Sequence, residues 1–445
     1  MESIIDTNGK SPRIPPRAQV KFGRVVGLGQ FFGLGKREII SGFATLGQVR
    51  QDSALKAGAF NWVFLVIGAV CGCHNEVQQQ IKVARVTGAS MSPTIWGDHG
   101  WLQCDACAVQ WKVNWQPAMR PPGDVHCWNC GRTLPPPEVQ SRVGESVKID
   151  TSAYRRAPPR LDDIVAVRDA AGVRIKRVLG VPGQVISSRS GALLCDGHPM
   201  TSAAPWIVIH DDSYRDRGES WWLAGGSPGV MQTQAGFEIV AVGSKQQLAK
   251  LTYRHRSVYN HLRPDRVRDD YPGNLVETRH LREVTTLGVQ AELDVATEAT
   301  LHCWKWTPLG AVCESQQLAP GDRSLDVRWS HLHDETNPPP EELGAQRPIC
   351  LSVEAGTLSI SKLRILRPIL YWIHDHRAVT LPLTLEPDCY FVIGDNVPLS
   401  IDSRQSGPVA RSDIIGKVLS SDERSQRHEF SSNPAHGLSK LSGGE

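Results

Sequence analysis

The sequence predicts a mainly β protein, in which one N-terminal transmembrane helix precedes a β core interrupted by a zinc-ribbon insertion and a larger β-sandwich-like insertion. Three observations carry this. Gly 40 and Pro 30 in 445 residues exceed the usual combined share of about 12% and disfavour long helices. Short apolar runs recur between turn residues over most of the chain. One long uncharged run stands alone near the N-terminus.

Composition sets the outer bounds. Hydrophobic residues at 40% and charged residues at 21% exclude wholesale disorder. Lys+Arg 49 against Asp+Glu 46 leaves +3, too even a balance for a nucleic-acid binder. Eleven Cys is an odd number and far below the density of a disulfide scaffold.

Residues 1–56 form a basic tail with nine Lys/Arg and four acidic residues. Residues 57–75, AGAFNWVFLVIGAVCGCHN, hold no Asp, Glu, Lys or Arg. At 1.5 Å per residue they would span roughly 28 Å, one hydrocarbon core, as a single helix. A buried core helix is the alternative. The positive-inside rule keeps the tail cytoplasmic and puts everything after the span outside. The charged leader is too long for a cleaved signal peptide.

Residues 76–98 contain a short strand (Ile81, Val83, Val86) that ends in Gly88-Ala89-Ser90-Met91. A small-residue turn there can present the Ser90 hydroxyl as a nucleophile, although most such Ser residues only cap the backbone. Residues 99–136 carry Cys104-x₂-Cys107 and Cys127-x₂-Cys130. This paired spacing is that of a zinc ribbon, four thiolates around one structural Zn²⁺ with no position open for catalysis. Two disulfides or free thiols are the alternative.

In residues 137–205, Ile164–Val167 and Val173–Ile175 read as a hairpin around Ala170-Ala171-Gly172. Lys176 follows directly. An amine lodged among apolar side chains loses proton affinity and can serve as a general base; the alternative is a Lys that points to water. Residues 206–385 contain strand-like runs at Trp206–Ile209, Phe237–Val242, Leu293–Val295, Thr300–Trp306, Leu351–Val353, Thr357–Ile360, Leu363–Leu366 and Leu370–Ile373, a pattern compatible with a sandwich. In residues 386–420 a strand, Tyr390–Ile393, ends in Gly394-Asp395-Asn396, and a polar loop with Ser400, Asp402 and Arg404 follows. Residues 421–445 are polar, Gly/Ser-rich and predicted disordered.

GASMSPTI, IKRVLGVPGQVI and GDNVPLSIDSR, in that order behind a single anchor, resemble the three boxes of the type I signal peptidase (leader peptidase) family of Ser/Lys-dyad membrane proteases. The resemblance covers roughly 100 residues in separate blocks. LLCDGHPM, residues 193–200, is similar to the short strand that follows the family's base box. It implies a signal-peptidase-like β core with Ser90 as nucleophile and Lys176 as general base, and no cofactor for catalysis. Ser400 would hydrogen-bond the Lys amine. Asp402 and Arg404 would hold the third box by an ion pair shared with Arg177. Gly88 stands where some members place an oxyanion-hole Ser, which leaves the hole to the Ser90 N–H. Val397 stands where the family usually has Arg.

The resemblance further implies preprotein signal peptides as substrates, membrane lipid as a neighbour and an extracytoplasmic catalytic domain on a single-pass cell-membrane protein. The rival reading is a catalytically silent, membrane-tethered binding protein with a zinc ribbon and a β-sandwich on a degenerate protease core. Oligomeric state is not written in the sequence.

Overall fold

Runs rich in Val, Ile, Leu and Thr, broken every few residues by Gly, Pro or Asp, favour extended chain over helix. The computed structural model accordingly consists of sheets. It describes residues 80–114, 125–134, 139–169, 172–214, 221–224, 227, 229–241, 248–275, 279–329, 340–373 and 379–419. The basic tail, the apolar run 57–75 and the polar tail from 421 lie outside the described residues. So do Trp115, Pro135–Pro137, Ala170, Ala171 and His374–His376. Among the described residues, helix is limited to Ser403–Ser406 and two 3₁₀ turns, Val258–Asn260 and Arg411–Asp413. No helix among them is long and apolar enough to cross a membrane.

A seven-stranded sheet orders its strands as Ile81–Arg85, Ser146–Asp150, Ile414–Leu419, Ile164–Asp169, Gly172–Gly180, Cys389–Ile393 and Val409–Ala410. Ile164–Asp169 and Gly172–Gly180 form the expected hairpin, with Val165 opposite Lys176. The neighbouring Cys389–Ile393 pairs antiparallel with Gly172–Gly180 and sets Ile393 opposite Arg177. This pairing brings the segment after Ile393 beside the Lys-bearing strand. A smaller sheet combines Val185–Arg189, Ala192–Cys195, His198–Pro199 and Leu383–Thr384.

Two further sheets share one apolar core. The six-stranded sheet is built around Gly356–Leu370, and the five-stranded sheet has Ile349–Val353 at its centre. Phe237, Ile239, Leu293, Leu358 and Ile360 from the first meet Leu251, Leu301 and Leu351 from the second, all buried. Two of the expected runs, Thr357–Ile360 and Leu363–Leu366, are one strand here. Lys362, at a left-handed φ of 46°, lies opposite the register break between Gln290 and Glu292, so the polar interruption is a bulge and not a turn. That strand stops at Leu370, the first residue of the expected run Leu370–Ile373, beyond which Trp372 forms an isolated bridge to Ala192.

Gly356–Leu370 leads into a second cluster, in which Ile369, Tyr371 and Trp372 pack with Leu179, Phe391, Ile393 and Val397. The sandwich and the sheet that bears Lys176 thus have a hydrophobic core in common.

Candidate active site

From Lys176 onward every residue of the Gly172–Gly180 strand is buried. Lys176 is 3% exposed, and its Nζ donates to Ser400 Oγ at 3.0 Å. Removal from water favours the neutral amine and brings its pKa down from 10.5 to about 8, with Arg174 and Arg404 adding to the effect and the Asp402 carboxylate opposing it. Lys176 is therefore buried and accessible to deprotonation near neutral pH, and does not point to water.

Ser90 is half-buried in the turn that follows Ile81–Arg85. The turn is held from within by Ile95 N–H to Met91 O (3.0 Å) and by Ser92 Oγ to Ala89 O (2.9 Å). It is held from outside by Asn396 N–H, which donates to Ser90 O at 3.0 Å. Gly394 makes this approach feasible: a Cβ there would lie 2.3 Å from Ser90 O and 2.4 Å from Ser400 Oγ. The Ser90 backbone and the hydroxyl that holds Lys176 therefore flank the same glycine. Lys176 Nζ makes no hydrogen bond to Ser90 in this structure. Bonds between catalytic groups are often long without substrate and tighten only when it binds. Gly88 is exposed, and a Cβ added to it would meet nothing within 4 Å, so it offers only backbone.

The third box is rigid for a local reason. Asp402 caps Ser403–Ser406 through a reciprocal capping box with Gln405. Arg404, 1% exposed, binds Asp402 bidentately (Nε–Oδ1 2.8 Å, Nη2–Oδ2 2.9 Å) and also donates to the carbonyls of Trp372, Val397 and Ser400. Each guanidinium nitrogen finds an acceptor, as a buried ion pair needs in order to be tolerated.

Arg177 does not share that pair, contrary to expectation. It alternates with Lys176 along the strand and so faces away, toward Asp395, with Nε–Oδ1 at 2.8 Å and Nη2–Oδ2 at 2.6 Å. Asp395 is fully buried and also accepts from Tyr371 OH (3.0 Å) and from Thr94 Oγ1. Asp395 and Asn396 were legible only as a turn. Arg177, next to Lys176 at the end of an apolar strand and in need of a carboxylate, was the signal that could have pointed further. Nothing in the sequence marked Tyr371, Asn114 or Asn274, which also converge on this region.

The four knuckle cysteines form a separate centre. Their sulfurs all lie within 4.8 Å of one another, with Cys104–Cys130 at 3.6 Å and Cys107–Cys127 at 3.7 Å. These contacts cross between knuckles and are not disulfides. A tetrahedral Zn²⁺ with Zn–S bonds of ~2.3 Å places its sulfurs about 3.8 Å apart, so the cluster fits a zinc ribbon. Gly131 sits just after the second knuckle at φ 74°, and Ala108 holds the equivalent place at φ 62°.

Against known families, the model described as "Signal peptidase, peptidase S26" matches residues 125–234 and 371–421. The match includes Lys176, Arg177, Ser400, Asp402 and Arg404 and leaves Ser90 outside. It supports membership of that family and, at family level, a peptidase function. No curated protein matches the chain. Among solved structures, the family 11 carbohydrate-binding module of a cellulosomal cellulase of Clostridium thermocellum is 12% identical over 39% of this chain and 100% of that one, with a TM-score of 0.22. Likeness at that level carries no argument here.

Proposed function

We propose that this chain is a membrane-anchored serine endopeptidase that removes N-terminal signal peptides from exported preproteins. The observation that carries the reading is the buried Lys176 amine, bonded to Ser400 and brought down to about 8, in a segment matched by the signal peptidase family model. Neutral Lys176 takes the Ser90 proton, Ser90 Oγ attacks the scissile carbonyl, and the Ser90 N–H helps hold the oxyanion. Lys176 then returns the proton to the leaving amine. A water deprotonated by the same Lys hydrolyses the acyl-enzyme. No cofactor takes part. The Cys104, Cys107, Cys127 and Cys130 cluster holds a structural Zn²⁺.

The signal peptide that is removed ends in small residues of Ala-x-Ala type. The anchor 57–75 places the site on the extracytoplasmic face of the cell membrane, against membrane lipid. The test is cleavage of such a preprotein by the full chain and its variants. Ser90→Ala and Lys176→Ala should each abolish cleavage. Lys176→Arg should fail as well, because a guanidinium does not give up its proton. Full activity in Lys176→Ala would remove the dyad.

A further inference from the structure

Three amide side chains around the Ser90 turn, those of Asn114, Asn274 and Asn396, come from parts of the chain that lie far apart in sequence. Asn396 Nδ2 donates to Ser92 Oγ at 2.8 Å, two residues from Ser90. Asn274 and Asn396 exchange hydrogen bonds, each 2.9 Å. Asn114, which follows the ribbon strand Gln110–Val113, donates through Nδ2 to Asn274 Oδ1 (2.5 Å) and to Ser92 Oγ (3.1 Å), and its N–H donates to Gly273 O at 2.7 Å. Tyr271 OH donates to Asp395 O at 3.1 Å. Gly273 is seated so tightly that a Cβ would lie 2.7 Å from the Trp96 ring and 3.2 Å from Lys112 O.

Segment 271–274 belongs to the large insertion, yet it fills the space between the ribbon, the Ser90 turn and the third box. Its other end is fixed in the sandwich. Arg367, fully buried on Gly356–Leu370, donates to Asp270 O and stacks 5.1 Å from the Tyr271 ring. Val397, where the family usually has Arg, is fully buried in the apolar cluster that also contains Tyr271 and Tyr371.

We infer that the insertion braces the proposed active site, with Asn274 as a positioning residue that holds the Ser90 turn against the third box. This rests on the peptidase reading. The physical case is that a nucleophile must be held within a fraction of an ångström of its productive place, and that support comes from the shell behind it. Asn274 touches neither substrate nor the reacting atoms. It acts through Asn396 and Ser92.

The experiment uses the full chain with Asn274→Ala, and Tyr271→Phe as the gentler variant that deletes a single hydroxyl. Each is measured for preprotein cleavage, for melting temperature, and for amide hydrogen exchange in residues 91–96 and 395–400. A misplaced nucleophile should lower kcat of Asn274→Ala about tenfold to a hundredfold. KM should stay within about twofold of wild type, as expected for loss of an interaction made in the transition state alone. Exchange in the two segments should rise while the sandwich strands stay protected. Wild-type kcat and wild-type exchange in a folded Asn274→Ala protein would overturn the inference. If that variant does not fold, Tyr271→Phe decides: locally raised exchange with reduced kcat supports the brace, and no change in either overturns it. Should Ser90→Ala cleave as well as wild type, the peptidase reading falls, and the exchange measurement alone still decides whether the insertion holds this turn.

Discussion

Lys176 carries opposite consequences for chemistry and for stability. Its pKa near 8 means that the amine loses its proton in the folded chain before it would in the unfolded one. Between pH 8 and 10.5 the unfolded state therefore binds more protons, and stability rises with pH across that window. Below pH 8 the full cost of burying the charged form applies, at most about 3 kcal/mol. Lys176→Met should then be inactive yet melt higher than wild type at pH 7, which a calorimetric scan would show. On the proposed mechanism, kcat/KM for preprotein cleavage should climb with pH through a limb near 8, well below that of an ordinary Lys. Ser400→Ala should lower activity less than Lys176→Ala, because Ser400 orients the amine without taking the proton. Gly394 is equally diagnostic. Any side chain there would push apart the Ser90 carbonyl and the Ser400 hydroxyl. Gly394→Ala should cost most of the activity in a protein whose circular dichroism is unchanged.

At the level of single elements, the hairpin with Lys176 at its buried end was legible because alternating Val and Ile around a short turn leave little choice of pairing. The third box was only partly legible. Asp402 and Arg404 pair as their spacing suggests, since a four-residue helix capped by Asp402 turns Arg404 back onto its own cap. The partner of Arg177 was misassigned for a simple reason. Neighbouring residues on a strand face opposite ways, so Lys176 and Arg177 cannot both face the Asp402 loop. Asn114 and Asn274 were invisible, since an Asn in a loop carries no mark of what it meets 160 residues away. Two expectations belong here. Arg404→Ala would leave the Asp402 carboxylate buried and unpaired, and should destabilise by about 3–5 kcal/mol in denaturant titration. Val397→Arg, which puts an Arg where type I signal peptidases usually have one, would force a guanidinium into the cluster around Tyr371. It should destabilise the chain by roughly 3 kcal/mol or more.

For the whole molecule, the mainly β character was readable from composition and turn density, whereas the joining of its parts was not. Sheet pairing across hundreds of residues leaves no local trace, so the shared cluster between the sandwich and the Lys176 sheet had no sequence signature. The ribbon enters the same assembly. Asn129, inside the second knuckle and 1% exposed, donates to Asp211 O (3.0 Å) and Tyr214 O (2.9 Å) and accepts from Asp211 N–H (2.7 Å). A metal bound by the four cysteines would therefore also fix this contact with the end of Thr201–Asp211. Cys127→Ser should lose the Zn²⁺ in metal analysis and lower the melting temperature of the full chain, and loosening should reach residues 211–214 in hydrogen exchange.

The bond between Ser92 and Asn396 spans 304 positions of chain, and the one between Lys176 and Ser400 spans 224. Loop closure over such lengths is slow compared with hairpin formation, so these bonds should form late in folding. A ribosome that has released residues 1–390 has made Ser90, Lys176 and residues 206–385, but not the segment 395–404 that bonds to both the Ser90 turn and Lys176. On the proposed mechanism a nascent chain that stops before residue 390 should therefore cleave no preprotein, and activity should appear only once residues 395–404 have joined the Ser90 turn and Lys176.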